Sequence, residues 1–248
     1  QGRDFDTLAR ALCGRFRVVC PDVVGRGQSD WLADPMGYQT PQYVADMVTL
    51  IARLDARDVR WVGTSMGGLI GMGLASLPGT PVTRLVLNDI GPTLEPGAIA
   101  RISSYVGRPQ HYATLDEAAD AIWGVSQGFG PHTREQWLAL CRPQLKPAPD
   151  GQGLVPRMDP AVALPFKTAA TPELLKAGEA LLWQRYDAIR CPTLLLRGAE
   201  SDLLSPATAE AMSRRGPHAT VVEVPGVGHA PRLVAPDQVE AVRGFLDP

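Results

Sequence analysis

Val59-Arg-Trp-Val-Gly63-Thr64-Ser65-Met66-Gly67-Gly68 sets one serine between glycines directly after an apolar, strand-like run. Glycine at these positions lets the chain turn sharply from strand to helix with other elements packed close, lifting the serine out as an exposed nucleophile. The small and apolar Leu69, Ile70, Met72, Leu74 and Ala75 continue as a helix, and Pro78-Gly79 stops it. A helix that starts beneath Ser65 leaves the Met66 N–H free to donate to a developing oxyanion. The alternative is a glycine-rich turn without chemistry, so the rest of the chain must decide.

A serine hydroxyl needs a base to take its proton, and the base needs an orienting partner. Of the four histidines, His229 stands on the glycine-rich loop Pro225-Gly-Val-Gly228-His229-Ala-Pro231, just after the strand-like Thr220-Val-Val-Glu-Val224. That is the C-terminal end of a strand, from which a loop reaches over the sheet edge. His111 and His132 fall in a polar, helix-rich middle region, and His218 precedes a strand, at the wrong end for a site. His229 is the expected base.

The acid follows the same logic. Cys191-Pro-Thr-Leu-Leu-Leu-Arg197-Gly198 is a short apolar run suited to a strand buried on both faces. It empties into Ala199-Glu200-Ser201-Asp202-Leu-Leu-Ser205-Pro206, where Ser205-Pro206 has the form of an N-cap and first helical residue. Asp202 on this loop is the expected acid. Its rivals are Glu200 in the same loop and Asp89, which ends the strand-like run Arg84-Leu-Val-Leu-Asn-Asp89.

The chain order Ser65, Asp202, His229 is the one the α/β-hydrolase arrangement requires. Gly63-Thr-Ser-Met-Gly-Gly68, Arg197-Gly-Ala-Glu-Ser-Asp202 and Gly226-Val-Gly-His229 resemble motifs of the α/β-hydrolase superfamily. Pro21-Asp-Val-Val-Gly-Arg-Gly-Gln-Ser-Asp30 resembles the loop after that family's fourth strand. The nearest subgroup is the set of bacterial enol-lactone hydrolases, esterases and meta-cleavage hydrolases. The resemblance covers nearly the whole chain except its middle, and it is specific for fold and triad rather than for substrate.

The start departs from the family. Its members begin with three strands, the third ending in a His-Gly turn that supplies a second oxyanion donor. Here Gln1-Gly-Arg-Asp-Phe-Asp-Thr-Leu-Ala-Arg-Ala-Leu reads as the helix after that turn. In the family's strand order the third strand lies mid-sheet, and omitting it strands buried backbone groups at about 1–3 kcal/mol each. The expectation is that N-terminal strands are missing from this chain, being lost or supplied by another segment.

Alternating signals place strands at 17–21, 58–63, 84–89, 192–197 and 220–224, and helices at 40–54, 66–77, 206–215 and 236–246. Such alternation implies an α/β fold, a mostly parallel sheet covered by helices on both faces. The core domain is expected over 1–92 and 189–248. Residues 93–188 read instead as an inserted helical cap, with amphipathic stretches near 95–106, 114–126, 132–142 and 171–187 and no sheet strand. A cap closing over Ser65 bounds a pocket and excludes water. Trp31, Trp123, Phe129, Trp137 and Trp183, with Phe166, are candidate pocket walls. Arg26 is expected to pair with Asp22 or Asp30.

With 248 residues and a net charge of −2, the chain is of ordinary globular composition and has no basic stripe for nucleic acid. No apolar run nears the ~20 residues that span a bilayer. Cys13, Cys20, Cys141 and Cys191 lack metal spacing and read as buried free thiols of a reducing, cytoplasmic setting. A homodimer is left open.

The expected activity is hydrolysis of a small carboxylic ester or lactone through an acyl-enzyme, with no metal or organic cofactor. One alternative is cleavage of a carbon–carbon bond in a ring-cleavage product, with Arg101, Arg108 or Arg134 holding a carboxylate. Another is a small-molecule receptor that retains a vestigial triad.

Overall fold

The computed structural model describes residues 1–165 and 172–247. After α1 (Asp6–Leu12) and α2 (Thr40–Arg53) come β1 (Val59–Thr64), α3 (Met66–Ala75) and β2 (Val82–Asn88). Next are α4 (Pro96–Ser103), α5 (Leu115–Ser126), α6 (Arg134–Cys141), a hairpin of β3 (Leu145–Pro147) with β4 (Leu154–Pro156), and α7 (Pro172–Ala188). The chain closes with β5 (Thr193–Gly198), α8 (Pro206–Arg214), β6 (Thr220–Val224) and α9 (Pro236–Leu246).

The main sheet has the order β1-β2-β5-β6 with every pairing parallel. Its side chains alternate between two cores, as the pleat requires. Leu85, Leu87 and Leu195 pack with Ile70, Met72, Tyr186 and Met212 on one face. Val86, Leu194 and Leu196 pack with Leu8, Leu12, Val242 and Leu246 on the other. The centres of β2 (Leu85–Leu87) and β5 (Leu194–Leu196) are therefore apolar on both faces and buried by helices on both sides. Because all four strands are parallel, Ser65, Asp89, the loop after Gly198 and the loop bearing His229 emerge at one edge.

Helix ends follow local chemistry. The Ser205 hydroxyl accepts from the Thr208 N–H, and Pro206 fills the first position of α8, as the sequence predicts. The helices at 96–103, 115–126, 134–141 and 172–188 fall on the amphipathic stretches of the middle region. Phe166 lies outside the described residues.

Four expectations are corrected. Residues 17–21 form no strand: their backbone joins no ladder among the described residues, and a strand is defined by its paired neighbour. The middle segment does contain strands, in a two-stranded antiparallel hairpin that pairs Leu145 with Pro156 and stands apart from the main sheet. The Pro/Gly-rich piece turns it, with the Ala148 N–H donating to Gly153 O and the Gly151 N–H to Ala148 O. Arg26 donates to the Tyr43 hydroxyl at 3.1 Å rather than pairing with Asp22 or Asp30. Asp22 instead accepts from the backbone N–H groups of Gly2 and Gln28. Of the cysteines, all free, only Cys141 is fully buried; Cys13 and Cys20 are exposed. Among the described residues no helix is long and apolar enough to cross a membrane.

Candidate active site

Ser65 caps α3 with φ 51° and ψ −118°, a left-handed conformation that a serine adopts only where the surroundings impose it. The turn closes because Gly63 has no side chain: a Cβ there would lie 2.1 Å from Gly67 O. The Trp61 indole N–H donates to the same carbonyl at 2.9 Å and pins the first turn of α3. Met66, the first helical residue, directs its N–H out of the helix beside Ser65, where it has no acceptor four residues back.

His229 reaches the serine across the sheet edge. Its Nε2 lies 3.0 Å from Ser65 Oγ, and its Nδ1 lies 2.8 Å from Asp89 Oδ2. Asp89, at φ 54°, is completely buried. A carboxylate only accepts, so the imidazole proton sits on Nδ1 and Nε2 is left to receive the serine hydroxyl proton. Asp89 is satisfied further by the Gly198 N–H at 2.8 Å on Oδ1 and the Ser201 hydroxyl at 2.5 Å on Oδ2.

Asp202 is not the partner of His229. The Ser201 N–H donates to Gly198 O at 2.9 Å, closing a tight turn that aims Ser201 inward and Asp202 outward. Asp202 meets Arg101 of α4 in a two-pronged pair at 2.7 and 2.8 Å, and its side chain is 48% exposed. The guanidinium holds the Asp202 carboxyl below its usual range, with a smaller contribution from the charge of His229. Glu200 takes part through its backbone, donating to Val227 O at 2.9 Å.

Two residues that sequence reasoning missed tie this edge together. The Asn88 amide donates to Thr64 Oγ1 at 2.9 Å and to Pro231 O at 2.7 Å, linking the residue before the serine to the histidine's loop. Ser201 is the other. For Asn88 the available signal was a polar residue at the end of the apolar run Leu85-Val86-Leu87, since buried polar groups require partners. Ser201, between Glu200 and Asp202, carried no such signal.

The candidate wall residues divide. Trp137 is buried, donates to Ala119 O, and packs edge-on against Trp123 at 4.9 Å, so these two build the interior of the middle segment. Phe129 lies 6.2 Å from Trp137 and beneath the Arg232 guanidinium at 4.8 Å. Its neighbour Gly128 accepts from the Gly228 N–H, beside His229. Trp183 donates to Thr93 Oγ1, which in turn donates to Glu179, close after Asp89 along the chain. Trp31 is 49% exposed beneath Lys146 Nζ at 5.0 Å. Two of the other histidines serve locally: His111 and His132 contact backbone carbonyls of Gln152 and Gly130, and burial pushes the His132 imidazole pKa down. Arg134 is held by Asp116 and Asp120.

Residues 2–242 match the model of an alpha/beta hydrolase family. The chain belongs to that family. It is 55% identical over 247 residues, 99% of the chain and 84% of the relative, to a 3-hydroxybutyrate-oligomer hydrolase of Cupriavidus necator. A 2-(acetamidomethylene)succinate hydrolase of Mesorhizobium japonicum is 27% identical over 98% of the chain and 83% of that protein. Among solved structures, an alpha/beta hydrolase of Novosphingobium aromaticivorans superposes with a TM-score of 0.87 at 36% identity. That match covers 99% of this chain and 85% of the other.

Proposed function

We propose that this α/β-hydrolase cleaves esters of short hydroxy acids, such as 3-hydroxybutyrate oligomers, through an acyl-enzyme on Ser65. The chain is a carboxylic ester hydrolase, and the observation that carries the mechanism is the continuous line from Ser65 Oγ through His229 to the buried Asp89. His229 Nε2 takes the hydroxyl proton as Ser65 attacks the ester carbonyl, and Asp89 stabilises the imidazolium that forms. The Met66 N–H donates to the developing oxyanion, a contribution of about 10²–10³ in rate for one such donor. The imidazolium then protonates the departing alkoxide. Water, deprotonated by His229, attacks the acyl group and returns Ser65.

The substrate class is supported by the 55% identical relative that hydrolyses 3-hydroxybutyrate oligomers. A linear hydroxy-acid ester and its lactone present the same acyl carbon, so lactone opening belongs to the same reading. Residues 93–188 act as the cap in this proposal: α4 reaches the loop after β5 through Arg101, and Gly128 contacts the histidine's loop.

The test is active-site titration with a fluorophosphonate, followed by turnover of 3-hydroxybutyrate dimer and trimer beside p-nitrophenyl butyrate. Labelling at Ser65, steady release of 3-hydroxybutyrate, and loss of both in Ser65→Ala are expected. Unchanged oligomer cleavage by Ser65→Ala would overturn the mechanism. Cleavage of the chromogenic ester alone would overturn the substrate class.

A further inference from the structure

The Asp89 carboxylate oxygen that receives His229 also receives a second donor, Ser201, and the surroundings of that hydroxyl direct its hydrogen there. Ser201 Oγ accepts the Leu204 N–H at 3.1 Å and the Leu203 N–H at 3.3 Å. Both leucines are buried, and the turn is closed from behind by the Ser201 N–H on Gly198 O. With its two lone pairs engaged, the hydroxyl has a single hydrogen to give, and Asp89 Oδ2 stands 2.5 Å away to accept it. The other carboxylate oxygen is held by the Gly198 N–H at 2.8 Å. Both these donors come from one turn at the end of β5.

Apart from His229 itself, Asp89 has one donor on each oxygen, the Gly198 N–H on Oδ1 and the Ser201 hydroxyl on Oδ2, and the two together fix the carboxylate plane independently of the histidine. Here that plane sets the direction in which Oδ2 meets His229 Nδ1, and thus where Nε2 points relative to Ser65 Oγ. We infer that Ser201 is a positioning residue for the catalytic histidine, acting through Asp89 and not touching the substrate. The inference rests on the Ser65–His229–Asp89 reading above. It also gives the loop after β5 a part in the site, although its own carboxylate, Asp202, turns away to Arg101.

Ser201→Ala removes the donor and leaves substrate-facing groups in place. Its expected signature is a fall in kcat per titrated site of about 10–100-fold, the scale of a small misplacement of a reacting group, with KM within about twofold. Ser201→Thr, which keeps the hydroxyl, restores most of kcat. The low-field proton resonance of the His229 Nδ1–H shifts in the alanine variant and returns in the threonine variant. Counting sites with the fluorophosphonate separates the two hypotheses: a wild-type enzyme unlabelled at Ser65 overturns the triad reading, whatever Ser201 does. Normal labelling with an unchanged kcat per site in Ser201→Ala, even with a lowered melting temperature, overturns the role of Ser201. If the alanine variant does not fold, Ser201→Cys, a weaker donor of similar size, takes its place under the same two criteria.

Discussion

His229 Nδ1 meets Asp89 Oδ2 at 2.8 Å, and between the strands that carry these residues lies the whole width of β5. The loop after β6 must therefore cross the end of β5 to reach the end of β2. It does so by lying against Gly198: a Cβ at that position would fall 2.2 Å from Gly228 O and 2.5 Å from Val227 O. Asp89, completely buried and left-handed, waits at the far side of that crossing. Asp202 stands nearer the loop in sequence yet is turned toward solvent and Arg101.

Two amides distinguish the carboxylates. Asp89→Asn replaces the acceptor of His229 Nδ1–H with a group that can present N–H instead, and kcat is expected to fall about 10³–10⁴-fold, as for other triads. Asp202→Asn weakens a half-exposed ion pair worth about 0–1 kcal/mol to folding and touches none of Ser65, His229 and Asp89, so kcat is expected to stay within about twofold of wild type. Steady-state kinetics on p-nitrophenyl butyrate decide it, and the reverse ranking would return the role to Asp202.

The sheet, its helices and the serine–histidine pair were legible because their signals are local. The run ending at Gly63, the glycine-flanked Ser65 and the loop carrying His229 need only strand polarity to be placed at one edge. Which carboxylate meets His229 was not legible, because Asp89 and Asp202 both follow buried strands and both precede apolar residues. What separates them is a turn in which Ser201 rather than Asp202 faces inward, and an arginine a hundred residues earlier that captures the outward carboxylate. The strand expected at 17–21 fails for a related reason: a strand exists only beside a partner.

The Arg101–Asp202 pair makes a pH-dependent contribution to stability. Its carboxyl titrates below the ordinary value of 3.8 because of the guanidinium. A depressed folded-state pKa gives stability that is present above the unfolded value and fades as pH falls through the folded one. Arg101→Met is therefore expected to cost about 0–1 kcal/mol at pH 7, with the difference from wild type shrinking at pH 3 and in 1 M salt. Urea melts under the three conditions measure it. A gap that ignores both pH and salt would assign the loss to packing of the arginine stem instead.

The thiols should separate by burial. Burial pushes the Cys141 thiol up to about 11, and it raises Cys191 as well. Since the thiolate is the reactive form, a disulfide reagent at pH 8 should modify the exposed Cys13 quickly and reach Cys141 only on unfolding. Mass spectrometry of the timed reaction locates each adduct, and early modification of Cys141 in folded protein would contradict its burial.

Gly198→Ala tests the crossing itself. The new methyl cannot share space with Gly228 O, so the loop carrying His229 must move away from the sheet edge. The same shift disturbs the Gly198 N–H on Asp89 Oδ1, which anchors the carboxylate from the other side. Both ends of the His229–Asp89 contact are thus displaced by one substitution. Stability is expected to fall by about 1–3 kcal/mol through overpacking, and kcat by about 100-fold, the cost of roughly 1 Å of misplacement. The control is Gly124→Ala in α5, where a Cβ meets nothing within 4 Å. There the substitution removes a flexible residue from a helix and should raise stability by up to about 1 kcal/mol with kcat unchanged. Equal, small effects from the two alanines would mean that the loop after β6 has room to pass β5 without this contact, and that the histidine is held from elsewhere.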